Sequence, residues 1–404
     1  MRLRLSIGQY FGIEWINAGC LALFLLPCFF WARDKFGYSD VENLVLSAVS
    51  GVVSVFSSRY GGRLADRIGY DRMLRYCLAG LALTMLLGSL PTWRGTPFVV
   101  VTLYVIFMGP TSPALEAAIL HSPGHTSVPE RVGLWNITWS SANALGYFLG
   151  GALFTHHVDA ILWVAGGFHL VLFVWLSVGR APGSAEGVAA MQIPHRGAEL
   201  PREAKKGFLH TAWLANGVAF VLQAGFFALA PQMQERLGLD SSRAIWLAST
   251  LNFTRMAGFF LFWRWKRWHY HMGWSQTALW MAPAALAVVF FVNQPLVIFG
   301  ALAVFGVAVA LSYSSSIYYS LDYAETKGEL GGLHESFIGI GIFLGSLLAS
   351  LAGRVGGGTE IAQITIVALS VTANIAGCLF IPGARGSVPV VAPIPPHAGR
   401  RPPG

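Results

Sequence analysis

The chain has 404 residues, of which 54% are apolar and only 11% charged, with a mean hydropathy of +0.57 and a net charge of +8. A soluble globular protein carries about 25% charged residues, so most of this chain belongs in a lipid bilayer, and its basic balance is not a nucleic-acid footprint. The four cysteines, Cys20, Cys28, Cys77 and Cys378, each fall in an apolar run without CxxC or Cys/His spacing, which points away from a disulfide framework and from a metal site.

A membrane span needs about 20 mainly apolar residues to cross about 30 Å of hydrocarbon. Twelve segments qualify and are predicted as helices: 8–31, 41–60, 73–91, 97–119, 133–154, 159–179, 208–230, 243–263, 275–293, 295–320, 333–353 and 361–382. The first is too long for a cleavable signal and lacks a small-residue cleavage site. The connections are short except between Arg180 and Gly207. The chain therefore divides into a first six-helix half (1–180), a cytoplasmic central loop (181–207), a second six-helix half (208–383) and a Pro-rich, disordered tail (384–404). Lys and Arg set the orientation. With both termini cytoplasmic, 20 of the 27 fall inside; Arg33, Lys35, Arg94, Arg236, Arg243 and Arg354 fall outside, and Arg255 lies within a span.

Between the second and third spans lies a charged stretch, Gly62-Arg63-Leu64-Ala65-Asp66-Arg67-Ile68-Gly69-Tyr70-Asp71-Arg72, expected as a hairpin. The second half repeats the first at an offset of 199 residues: Gly133 through Gly146 overlays Gly332 through Gly345, Asn17 overlays Asn216, and the hairpin overlays Arg264 through His269. Two parallel six-span halves are what a duplication leaves, with a solute site expected between them near the midplane.

Two charges stand apart. Glu14 lies roughly 9 Å and Arg255 roughly 12 Å from the inner ends of their spans, at 1.5 Å per residue. An unpaired charge at such depth costs about 2.5–3.5 kcal/mol on insertion scales. The two are expected to pair across the halves in one state, and proton uptake by Glu14 or an anionic solute at Arg255 would loosen that pair.

The pattern Gly62-x-Leu64-Ala65-Asp66-Arg67-x-Gly69 resembles the loop between helices 2 and 3 of the major facilitator superfamily of transporters. The span count, the orientation and the 6+6 division extend the resemblance over almost the whole chain. It implies an all-α membrane protein of twelve transmembrane helices, in which this hairpin latches the cytoplasmic face. Gly62 and Gly69 would allow tight turns and close approach, and Asp66 would face the start of span 11 near Gly331-Gly332. Arg67 would pair with Glu116, and Arg72 follows Tyr70-Asp71 where the family usually has a basic residue directly. The second-half copy, Arg264 through His271, has lost the acid and the glycines. Ala142 through Gly151 resembles the family's antiporter signature in span 5, with Tyr147 in place of proline, whereas the arginine of many drug/proton antiporters is absent from Tyr104 to Gly109.

The resemblance further implies that spans 1, 4, 7 and 10 surround a central cavity. Helical spacing then selects Tyr10, Glu14 and Asn17; Tyr104, Met108 and Thr111; Asn216, Phe220, Gln223 and Phe227; and Tyr313, Ser316 and Ser320. The expected protein is a secondary transporter in the inner (plasma) membrane of a bacterium-like cell. It would be a monomer moving a small organic solute, export ahead of uptake, with protons as the candidate coupling ion and no cofactor, metal, nucleic acid or catalytic residue. The alternatives are a non-transporting sensor or assembly component on the same scaffold, or facilitated uptake of a sugar-like or organic-acid solute.

Overall fold

A computed structural model describes residues 5–122, 128–178, 201–323 and 327–381, without the side chains of 120–121, 128–129, 321 and 327–336. Arg2, Arg4, the central loop up to residue 200, the Pro-rich tail and the side-chain surroundings of Gly331-Gly332 lie outside the described residues.

Among the described residues every regular element is an α-helix. In chain order they are α1 (Ile7–Leu25), α2 (Pro27–Phe36), α3 (Asp40–Ile68), α4 (Tyr70–Gly88), α5 (Thr96–Met108), α6 (Thr111–His121), α7 (Val128–Phe154), α8 (Ala160–Val178), α9 (Arg202–Leu229), α10 (Gln232–Leu237), α11 (Ser241–Arg264), α12 (Met272–Phe291), α13 (Pro295–Tyr323), α14 (Lys327–Gly356) and α15 (Thr359–Phe380). Local chemistry sets several boundaries. Ser6 with Gln9 and Ser39 with Glu42 form capping boxes that start α1 and α3. Pro27 occupies the first position of α2, where its missing N–H is harmless. Gly109-Pro110 divides α5 from α6, since proline cannot donate to the ladder.

Nine segments among the described residues are long and apolar enough to cross a membrane; α4, α7 and α11 are not among them. The latter two carry Asn136, Asn143, Asn252 and Arg255, all buried, and they shield these groups by packing on each other. Outward-facing side chains such as Leu83, Val171, Phe260 and Leu296 give the bundle an apolar exterior suited to lipid.

The 199-residue shift carries over to helix positions. It moves the starts of α5, α7 and α8 at Thr96, Val128 and Ala160 onto the starts of α13, α14 and α15 at Pro295, Lys327 and Thr359. It also exchanges two long contacts, α3 with α14 and α7 with α11, which join the earlier helices to the later ones. Within each set the same close approach recurs. A Cβ on Gly146 would stand 2.5 Å from the Gly19 carbonyl oxygen of α1, and one on Gly345 2.7 Å from Val221 Cγ1 of α9. Gly146 of the span 5 signature thus lets two helix backbones approach, and its counterpart Gly345 in α14 makes room for the Val221 side chain.

The expected hairpin at 62–72 is largely helix. α3 continues through Ile68, burying Gly61 and Ala65, and the chain turns at Gly69 alone, whose φ of 101° favours glycine. The close approach also falls one residue earlier than expected. A Cβ on Gly61 would lie 2.4 Å from Pro110 Cγ at the α5–α6 break, whereas one on Gly62 would make an ordinary 3.8 Å contact with Pro113.

Candidate functional site

The bundle has two ends. One gathers the turns at Gly37, Gly95, Gly238 and Gly357-Gly358; the other gathers Gly69 and the turn from Trp265 to His271. Between them α7, α9, α11 and α13 enclose the most polar buried group of the second set. Arg255 of α11 is 3% exposed. One of its five N–H donors is placed: Nη1 donates to Gln223 Oε1 of α9 at 3.1 Å. The guanidinium lies 4.9 Å from the ring centroid of Trp139 on α7, a cation–π contact that joins the earlier helices to the later ones. Its Nε is buried without a hydrogen-bond partner, and no carboxylate among the described residues lies within 4 Å.

Aromatic rings box this cation in. Trp139 stands edge-on to Phe259 and Tyr313 at 5.2 and 5.3 Å, Phe259 meets Tyr313 at 5.5 Å, and Phe220 meets Tyr313 at 6.5 Å. The phenols of Tyr147 and Tyr313 lie within electrostatic reach of the guanidinium. Tyr147 also packs on Phe227 at 5.5 Å. Gln223, Tyr313 and Arg255, selected from the sequence, thus come together. Trp139 and Tyr147 were not selected, although Trp139, Asn143 and Tyr147 form an i, i+4, i+8 stripe on α7 that periodicity alone makes visible.

The remaining candidates fall elsewhere. Asn17 Nδ2 donates to Thr111 Oγ1 at 3.2 Å, and Thr111 donates in turn to the Met108 carbonyl at 2.7 Å. Tyr10 donates to Asp71 Oδ1 at 2.5 Å, tying α1 to the first turn of α4. Tyr104 is packed in the core between Phe24 and His169. Asn216 and Ser316 are wholly buried. Glu14, 3% exposed, makes no ion pair with Arg255 in this conformation, because the arginine turns to Gln223 and Trp139 instead.

At the Gly69 end, Asp66 accepts from the Tyr70 hydroxyl at 3.1 Å, while Asp66 and Arg67 are exposed. The expected Arg67–Glu116 ion pair is not formed. Glu116 lies beside Ile119, Arg131 and Trp135 in a small cleft, and Arg131 Nη1 donates to the carbonyls of Ile119 and Ser122 at 2.7 Å each. The aromatic-basic turn is pinned to α13. Tyr270, at a φ of 53°, donates its backbone N–H to the Tyr319 hydroxyl at 2.9 Å, its own hydroxyl bonds Asp322, and Lys205 pairs with Asp322 at 2.8 Å. His269 stacks on Tyr318 at 3.9 Å between ring centroids.

The Gly37 end is closed by polar contacts between the two sets of helices. Arg33 bridges Asp40 at 3.4 Å and Glu235 of α10. Ser241 donates to Asp34 at 2.6 Å, and Thr359 donates to Asp40 at 2.7 Å. Deeper, Ser47 and Ser346 share a hydrogen bond of 2.8 Å, and Trp246 Nε1 donates to the Phe148 carbonyl at 2.9 Å. A cleft of about 340 Å³ opens over this closure between Arg33, Asp40 and Thr359. Beside it, Asp159 takes Lys35 at 2.7 Å and the Trp31 indole N–H at 2.8 Å, and its backbone N–H donates to His157 Nδ1 at 3.1 Å. Burial beside Glu42 pushes the Tyr38 phenol up to about 12, keeping it a donor to the Arg94 carbonyl at 2.8 Å.

Comparison with known proteins places this architecture. No curated protein matches the sequence. Among solved structures, the nucleoside transporter NupG superposes with a TM-score of 0.68 at 12% identity, covering 92% of this chain and 98% of that one. A bacterial homolog of the human lysosomal transporter Spinster, in an inward-facing and unoccupied conformation, superposes with a TM-score of 0.68 at 15% identity, covering 94% of this chain and 95% of that one. Both share the fold. The family model of the Major Facilitator Superfamily matches residues 11–346, and this multi-pass membrane protein belongs to that family.

Proposed function

We propose that the protein is a secondary transporter moving a small organic solute by alternating access, with the solute held at the Arg255–Gln223–Trp139 cluster between two six-helix halves. The observation that carries this reading is a polar, charged cluster shared by α7 on one side and by α9, α11 and α13 on the other. A site whose walls belong to two bodies changes its access when those bodies rock, which a site inside one body does not. The halves are taken as 1–180 and 208–383, supported by the exchange of the α3–α14 and α7–α11 contacts under the 199-residue shift.

The bias of Lys and Arg toward the Gly69 end supports both termini in the cytoplasm of an inner membrane, with the Gly37 end outside. The Gly37 end is held closed by Arg33, Asp34 and Asp40, which supports reading this conformation as one sealed on the outer side. Export was expected from the small residues of span 5, but both halves use those residues for packing, so direction is read from the flux itself. Glu14, buried one helical turn beyond Tyr10 of the Tyr10–Asp71 bond, is the proposed proton-sensing group.

The test is flux into proteoliposomes from a labelled solute library, with and without a pH gradient. Saturable accumulation of at least one solute supports transport, and a Glu14→Gln variant should lose the gradient's effect while keeping counterflow. Sealed liposomes with no flux of any solute would indicate a non-transporting sensor on this scaffold.

A further inference from the structure

Resting on that transport reading, we infer that the central cluster selects a monoanionic organic carboxylate carried on a flat, apolar ring. The charge argument starts from Arg255. A guanidinium buried to 3% exposure, with no carboxylate within 4 Å among the described residues, is uncompensated. Leaving a buried charge unpaired is strongly unfavourable, and a guanidinium presents a planar fork that matches a carboxylate through two parallel N–H···O bonds. Gln223 occupies Nη1, and Nε remains buried without a partner. The side chain is therefore oriented by one neutral acceptor with part of its donor set unused.

Charge balance narrows the class. Among the described residues the buried cations are Arg131 and Arg255, and Arg131 spends its Nη1 on the carbonyls of Ile119 and Ser122. One cation at the cluster neutralises a monocarboxylate and leaves a phosphate dianion half-compensated in a low-dielectric site. The body of the solute follows from the walls. Trp139, Phe259, Tyr313 and Phe220 are all aromatic, three of their mutual contacts edge-to-face and the Phe220–Tyr313 contact tilted, and such walls favour a flat, apolar solute body. Trp139 has a double use: its face already holds the Arg255 cation, so anion pairing at Arg255 adjusts a contact that bridges the two halves. A neutral nucleoside, the solute named for NupG, would leave the guanidinium uncompensated.

The experiment uses the full-length protein in lipid nanodiscs. Benzoate, 3-phenylpropionate and indole-3-acetate are each compared with their neutral primary amides, and uridine and phenyl phosphate complete the panel. Binding is read by tryptophan fluorescence and by competition, and transport by counterflow in proteoliposomes. At least one acid should bind ten-fold or more tightly than its own amide, and more tightly than phenyl phosphate or uridine. Arg255→Gln should abolish the acid-over-amide preference, and Arg255→Lys should restore only part of it. Acids that bind no better than their amides overturn the inference, and this comparison needs only the wild-type protein, so poor folding of a variant does not rescue it. Equal acid binding in a folded Arg255→Gln variant overturns it as well. Saturable flux of uridine without competition from any acid would overturn the carboxylate inference while leaving transport intact; absence of flux for every compound, with acid binding present, would do the reverse.

Discussion

Lys35 and Asp159 show why burial decides what an ion pair contributes. Their side chains are 17% and 8% exposed, and Asp159 also accepts from Trp31, so this pair is largely cut off from water. Removing one partner from a buried pair costs about 3–5 kcal/mol because the other charge is stranded. Asp159→Ala should therefore lower thermal stability sharply, whereas Lys35→Met combined with Asp159→Leu should recover most of the loss; a melting curve of the single variant equal to wild type would show that the pair contributes little. His269 makes a different residue-scale prediction. Burial, with Lys266 nearby, pushes its imidazole down from 6.5 to about 4. Between those values the unfolded chain takes up a proton that the folded chain does not, so stability is full above pH 6.5 and falls as pH drops toward 4. His269→Gln should flatten that decline in melting temperature measured from pH 7 to pH 4.

At the scale of helices, the closure of the Gly37 end combines weak polar contacts with tight packing, and magnitudes separate them. Glu235 is 73% exposed, and such surface pairs are worth about 0–1 kcal/mol, so Glu235→Ala should change end-to-end accessibility little. Gly51 of α3 is different. A Cβ there would stand 2.5 Å from the Phe343 backbone nitrogen of α14, and backbone cannot give way as a side-chain tip can. Overpacking of this kind costs about 1–3 kcal/mol, enough to shift a two-state equilibrium of similar size. Gly51→Ala should thus favour the conformer open at the Gly37 end, seen as faster maleimide labelling of a cysteine placed at Ser47; unchanged labelling would show that α3 and α14 do not separate there.

For the molecule as a whole, the helical membrane fold and its family were legible because they depend on composition, periodicity and a charged motif, all local in sequence. The 199-residue offset was legible too, since the same shift carries three helix starts onto three others. The site was only partly so. Gln223, Tyr313 and Arg255, singled out by helical spacing and depth, meet in the candidate cluster, whereas Trp139 was not singled out because its place there depends on which helix α7 packs against, a tertiary fact. The Glu14–Arg255 and Arg67–Glu116 pairs expected from opposite charge are absent here: Arg255 is engaged by Gln223 and Trp139, and Arg67 sits at an exposed position. Gly62 was favoured over Gly61 by the motif, while the break at Gly109-Pro110 decides which glycine must be small.

The central claim, that two halves rock around the Arg255 cluster, is tested most directly by double electron–electron resonance in nanodiscs. Spin labels at Thr92 and Gln294 report on the Gly37 end, and labels at Arg67 and Arg267 report on the Gly69 end; all four positions are exposed. On addition of a transported solute the first distance should gain a longer population as the second gains a shorter one, the two changing together. Distances that stay fixed at both ends under every solute that crosses the membrane would contradict the account.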